Sequence, residues 1–141
     1  MWKGQDIMRE MDNGTLTFGK FMRQKREEKG LSVRALAKEL DITPAYVSDM
    51  EKGNRAAPRR NSTKDLLERI CQMLITTDED RHRYYDLAAE SRDGQYDELN
   101  DYLHQHANAR LALRVARDRG LDEAGWSAIA EQIKKRDNTN G

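Results

Sequence analysis

The stretch on which the fold turns is Leu31-Ser32-Val33-Arg34-Ala35-Leu36-Ala37-Lys38-Glu39-Leu40-Asp41-Ile42-Thr43-Pro44-Ala45-Tyr46-Val47-Ser48-Asp49-Met50-Glu51-Lys52-Gly53. Ser32 stands where a helix N-cap is wanted, and Val33, Leu36, Ala37 and Leu40 follow at the spacing that puts apolar side chains on one helical face. After Asp41-Ile42 comes Thr43-Pro44, a cap oxygen followed by proline at the first helical position, where its missing N–H takes nothing from the helix. A second short helix runs from there to Lys52, with Val47 and Met50 inward and Gly53 closing it. So few residues separate the two helices that the chain must turn sharply between them.

Upstream, Thr17 is placed to cap a helix reaching Lys29, with Phe18 and Met22 four apart, Phe21 beside them and Gly30 as the stop. Downstream, residues 54–61 form a basic loop, and Ser62 or Thr63 then caps a helix to Ile75 whose Leu67, Ile70, Cys71 and Leu74 make a core stripe. Thr77 opens another helix to Glu90 with Tyr84, Leu87 and Ala88 inward, broken by Ser91-Arg92-Asp93-Gly94. Three more helical segments lie near 97–105, 107–119 and 122–136. The last has Asp122 in cap position and Trp126, Ile129, Ala130 and Ile133 as one apolar stripe. These three either fold back on the first five helices or pair between chains. Residues 1–14 are weakly patterned, with Met8 and Met11 as further possible starts, and read as an N-terminal extension. No segment alternates as a strand would and only two prolines occur, so the fold class is all-α.

The 141 residues include 25 basic and 25 acidic side chains, and 37% are hydrophobic at a mean hydropathy of −0.99. Such values permit disorder unless the apolar residues are patterned, and here they are. The longest apolar runs are far below the ~20 residues a membrane span needs, so a soluble cytoplasmic protein is expected. One cysteine, Cys71, excludes an internal disulfide and a cysteine-based zinc cluster. Zero net charge conceals a dipole along the chain: residues 1–70 carry 15 basic and 11 acidic groups, residues 71–141 carry 10 and 14. From Thr15 to Lys64 there are 12 basic and 6 acidic groups, the balance of a segment that meets a polyanion.

Two short helices joined by a sharp turn are the helix-turn-helix pattern, whose second helix enters the major groove of double-stranded DNA while the first presents its amide end to phosphate. Pro44, Ala45, Ser48 and Asp49 form the base-facing set. Ala45 can touch a thymine methyl, Ser48 can donate or accept, and Asp49 can accept from cytosine N4. None supplies a bidentate arginine–guanine or glutamine–adenine pair, so no target sequence follows. Tyr46, apolar along one edge with a hydroxyl at its tip, lies at the groove wall and reaches phosphate. Ser32, Val33 and Arg34 start the phosphate-facing helix, Thr43 the recognition helix, and Lys52, Asn54, Arg55, Arg59 and Arg60 follow it; all are candidates for phosphate contact. Lys20, Lys25 and Lys29 read as solvated charges.

From Phe18 to Leu74 the sequence resembles the Cro/CI-type, XRE-like helix-turn-helix regulators of phages and bacteria, through Leu31-Ser32, Leu36-Ala37, Ile42-Thr43-Pro44-Ala45-Tyr46-Val47-Ser48, Glu51-x-Gly53 and Pro58 taken together. The resemblance implies a five-helix Cro/CI-like domain over 15–76 that binds operator DNA as a dimer, and an ion pair between Arg26 and Glu51 that orients the end of the recognition helix. It divides the chain into an extension (1–14), the helix-turn-helix DNA-binding domain (15–76) and a helical C-terminal dimerisation or regulatory segment (77–141). The tail, with Trp126 after Arg114-x-x-Arg117, looks like the C-terminal segments of small regulators from mobile elements and toxin–antitoxin loci.

Other chemistry finds no support. His104 and His106, two apart, diverge by about 200° on a helix and cannot share a metal as an i, i+4 pair can. Asp78-Glu79-Asp80 stands at a helix start, where acids favour the dipole. Tyr84, Tyr85 and Tyr102 could stack on bases, but their helical neighbours favour core or dimer contact. No phosphate loop, nucleophile elbow or metal-ligand set occurs, so no enzyme and no cofactor is expected. The expected function is a sequence-specific transcriptional repressor acting as a homodimer on a two-fold operator. The alternative is a protein-interaction module, an antitoxin or a protease-controlled regulator, whose partner (a toxin or regulatory protease) binds residues 78–141.

Overall fold

Hydroxyl caps set where the chain begins to coil. The computed structural model describes residues 15–59 and 65–140. Thr17 Oγ1 accepts from the Lys20 amide at 3.2 Å and opens α1, Phe18–Glu28. Ser32 Oγ accepts from Ala35 N at 3.0 Å to open α2, Val33–Leu40, and Thr43 Oγ1 accepts from Tyr46 N at 3.1 Å to open α3, Pro44–Lys52. Helix α4, Leu66–Leu74, is capped by Asp65 instead of Ser62 or Thr63, which lie outside the described residues, as do 1–14. Thr77 caps α5, Asp78–Glu90.

The apolar stripes of these five helices close on one another. Helix α1 packs against α3, α4 and α5, and α2 against α3 and α4. Phe18, Met22, Leu36, Val47, Ile70 and Tyr84 are among the buried residues where they meet. Tyr84 comes from beyond residue 76, with its ring 5.2 Å from Phe18 and its hydroxyl donating to Leu67 O at 2.6 Å. The fifth helix of the domain is therefore α5, and the compact unit extends to Leu99, so a boundary at 76/77 falls inside it. The physical reason is that α5 supplies core side chains instead of leading away from the core. Lys25, expected as a solvated charge, reaches Asp80 at 2.7 Å and so ties α1 to α5.

Gly19 has a role the sequence did not announce. A Cβ at this position would stand 2.3 Å from Met50 O and 2.6 Å from Glu51 O, so only glycine lets α1 approach the end of α3 this closely.

The second compact unit begins at Asn100. It holds the end of α6, Asp97–Gln105, then α7, Ala107–Asp118, and α8, Glu123–Asn140. The last carbonyls of α6 are satisfied from outside the helix. His106 stacks on Tyr102 with ring centroids 4.2 Å apart and its Nδ1 2.7 Å from Tyr102 O, while Arg110 Nη1 donates to Leu103 O and His104 O, each at 2.6 Å. Asp122 caps α8 as expected, accepting from Gly125 N. Of its expected stripe, Trp126 and Ile129 are half-buried, whereas Ala130 and Ile133 are exposed. No residue between 100 and 136 is buried. Among the described residues no helix is long and apolar enough to cross a membrane.

Candidate nucleic-acid interface

The turn between α2 and α3 is fixed by backbone alone. Asp41 takes the left-handed conformation at φ 57°, and its N–H and that of Ile42 donate to Lys38 O and Ala37 O at 3.2 and 3.0 Å, closing α2. Aspartate tolerates this region better than most side chains, so two residues after α2 the chain can already be capped by Thr43. Pro44 then sets the first φ of α3.

On α3 the side chains sort by angle. Val47 and Met50 are buried, while Pro44, Ala45 and Asp49 are exposed and Ser48 partly so, all four on one arc away from the core. Tyr46 is half-buried at the edge of that arc, with the Arg55 guanidinium 4.2 Å above its ring. Lys52, Asn54 and Arg55 are exposed just after the helix, where the amides of Asn54 and Arg55 both donate to Asp49 O, at 2.9 and 3.2 Å. Gly53, at φ 81°, makes that reversal possible. At the start of α2, Ser32 and Arg34 are exposed and Val33 leans partly on the core. Thr43 is exposed as well. Arg60 lies outside the described residues.

Arg26 and Glu51 meet in a two-pronged pair. Nε donates to Oε2 at 2.7 Å and Nη2 to Oε1 at 3.0 Å, while Nη1 donates to Leu31 O at 2.8 Å. The side chains are only 10% and 6% exposed. Hydrogen bonding to Glu51 pushes the Arg26 guanidinium above its ordinary value, against the lowering effect of burial and with help from the Glu51 charge. One guanidinium thus joins α1, the last turn of α3 and the residue before Ser32.

Arg59 is exposed, but it does not stand by itself: it donates to Gln95 and lies near Asp97. The loop carrying it is anchored by Ala57, whose N–H donates to Ser91 Oγ at 2.9 Å. In the sequence Ser91 reads only as a helix breaker, and nothing marks Gln95 or Asp97 as partners of this loop. Short-range pattern carries no signal for partners more than thirty residues away. Pro58, next to Ala57 in the chain, is buried as well.

Among the described residues no group of three or more histidine, cysteine or carboxylate side chains is arranged to hold a metal ion. What the surface offers instead is an exposed helix face, two helix N-termini and cations beside them, which is the equipment for a nucleic-acid duplex.

Residues 17–84 match a family described as a helix-turn-helix domain. No curated protein matches the chain. A solved structure of a SinR protein/SinI protein complex is similar at 19% sequence identity, covering 86% of this chain and 99% of that one with a TM-score of 0.37.

Proposed function

We propose that this chain is a sequence-specific DNA-binding transcriptional repressor of the Cro/CI-type, XRE-like kind, a reading supported by the match of residues 17–84 to a helix-turn-helix domain. The observation that carries this reading is the exposed arc of α3, Pro44, Ala45, Ser48 and Asp49, beside the open N-terminus of α2. In the proposed complex those four side chains face bases. Ser32, Val33, Arg34, Thr43, Tyr46, Lys52, Asn54, Arg55, Arg59 and Arg60 contact phosphate. One recognition helix reads only a few base pairs, so the protein acts as a homodimer on a two-fold operator with half-sites about one helical turn apart. Its place of action is the nucleoid.

Residues 100–136 favour a second task for the tail. Leu111, Leu113, Val115 and Ile133 are exposed there, and no side chain described between 100 and 136 is buried. Apolar surface of this kind asks for a protein partner. We assign the partner first to a second copy of the chain. The competing assignment is a different protein, a toxin or regulatory protease.

Fluorescence anisotropy with the DNA upstream of the protein's own gene and with a scrambled duplex, each at two salt concentrations, tests the function. A preference of about 10³ or more for the first supports a sequence-specific regulator. Equal, weak and strongly salt-dependent binding to both would reduce the domain to a basic surface. Removing residues 100–141 and losing operator binding together with the dimer supports the second copy; intact binding by a monomer points to the other partner.

A further inference from the structure

Two arginines share two acceptors at the end of the loop that leaves α3. Arg59 Nη2 donates to Gln95 Oε1 at 2.8 Å, and its Nη1 lies 3.6 Å from Asp97 Oδ2. Arg92 reaches the same two groups, its Nη1 2.5 Å from Asp97 Oδ2 and its Nη2 3.1 Å from Gln95 Oε1. The loop is delivered to this spot by the bond from Ala57 N–H to Ser91 Oγ, and Ser91 Oγ in turn donates to Ala88 O at 2.7 Å.

The sharing is unequal. Arg92 and Asp97 are an inner pair, with side chains 7% and 14% exposed, whereas the Arg59 side chain is 67% exposed. If Arg59 departs, Asp97 keeps Arg92, and no buried charge is left without a counter-ion. Departure therefore costs only what an exposed pair and one exposed hydrogen bond are worth, an amount that a phosphate oxygen can match.

We propose that Asp97 and Gln95 are affinity-determining residues that never touch DNA: they are internal acceptors competing with a backbone phosphate for the Arg59 guanidinium. The proposal rests on the DNA-binding reading above and on Arg59 as a phosphate contact. The Asp97 carboxylate stands in for the phosphate when no duplex is bound, and the Arg92 pair keeps it in place. The inner pair thus sets how much of the Arg59 charge is released to a duplex.

The test uses the full chain and a mixed-sequence DNA duplex, with Kd followed against salt for wild type, Gln95→Ala, Asp97→Asn and Arg59→Gln, and for each of the first two variants combined with Arg59→Gln. Gln95→Ala matters most, because it removes an acceptor without altering net charge and sits on an exposed side chain. Circular dichroism checks that Asp97→Asn, which leaves Arg92 with a weaker partner, still folds. The expected result is about two- to fivefold tighter binding for Gln95→Ala and Asp97→Asn. Arg59→Gln should bind more weakly and lower the slope of log K against log salt by roughly one. In the Arg59→Gln background the gains should vanish. Equal gains with and without Arg59, or no gain from either variant, would overturn the competition while leaving DNA binding intact. A wild type that binds no duplex at any salt concentration would remove the DNA-binding reading itself, and the competition with it.

Discussion

The helices within residues 18–90 and those within residues 100–136 differ in what their apolar side chains meet. In the first, Leu36 and Val47 are 0% exposed and a guanidinium and a carboxylate are enclosed together. In the second, Leu111 is 55% and Ile133 60% exposed. Helix propensity is local and serves both regions, whereas burial depends on having enough facing surface. The five helices α1–α5, packed on one another, provide it; residues 100–136 do not. The first region specifies its own structure, and the second presents a surface.

The sharpest way to break the comparison is to spoil the enclosed pair. Glu51→Ala leaves Arg26 buried without its carboxylate and should cost about 3–5 kcal/mol, read by urea denaturation, while a joint replacement of Arg26 and Glu51 by methionine and leucine should recover much of it. If the single change costs less than about 1 kcal/mol, the pair orients nothing. Gly19→Ala should follow at about 2–3 kcal/mol, since its Cβ runs into two backbone carbonyls of α3 that cannot yield without separating the helices. A thermal midpoint equal to wild type would show that α1 and α3 are less tightly joined than their geometry indicates.

Tyr84→Phe deletes one buried hydroxyl and should cost about 1–2 kcal/mol, the mark of α5 belonging to the first region. No cost would return α5 to the tail. Asp49→Ala sharpens the contrast within the first region between enclosed and outward-facing residues. It should leave stability within about 0.5 kcal/mol of wild type yet change the profile of selected binding sites. An unchanged profile would remove Asp49 from the base-facing set. The smallest effect on stability is expected from Leu111→Ser with Val115→Ser: unfolding of the first region should shift by less than about 0.5 kcal/mol, while sedimentation should report a smaller assembly. A destabilised first region with an unchanged assembly would mean that the two side chains support the monomer.

Much of the motif was legible residue by residue. Thr17, Ser32, Thr43 and Thr77 cap the helices they were expected to cap, Pro44 and Gly53 bound α3, and Val47 and Met50 face inward while Ala45 and Asp49 do not. Arg26–Glu51 was expected only because the segment resembles a family in which such a pair recurs. Lys25 was misjudged, because a lysine bound for solvent and one bound for Asp80 look alike until α5 is laid beside α1. That α5 sends Tyr84 into the core shared with α1 was out of reach of the sequence for the same reason. Charge counts separated an acidic tail from a basic front, but Tyr84 and its neighbours on α5 are held by packing, which a charge count does not see.

What the sequence by itself determined are the features that depend on contacts within about four residues: the caps, the stops, the inward and outward faces of each helix, and hence the helix-turn-helix. Only the tertiary structure decided which helices enclose a core, why position 19 must be glycine, and where Lys25 and Arg59 spend their charge. Those outcomes hang on groups twenty-five to fifty-five residues apart in the chain, brought together by hydrophobic burial that carries no direction of its own.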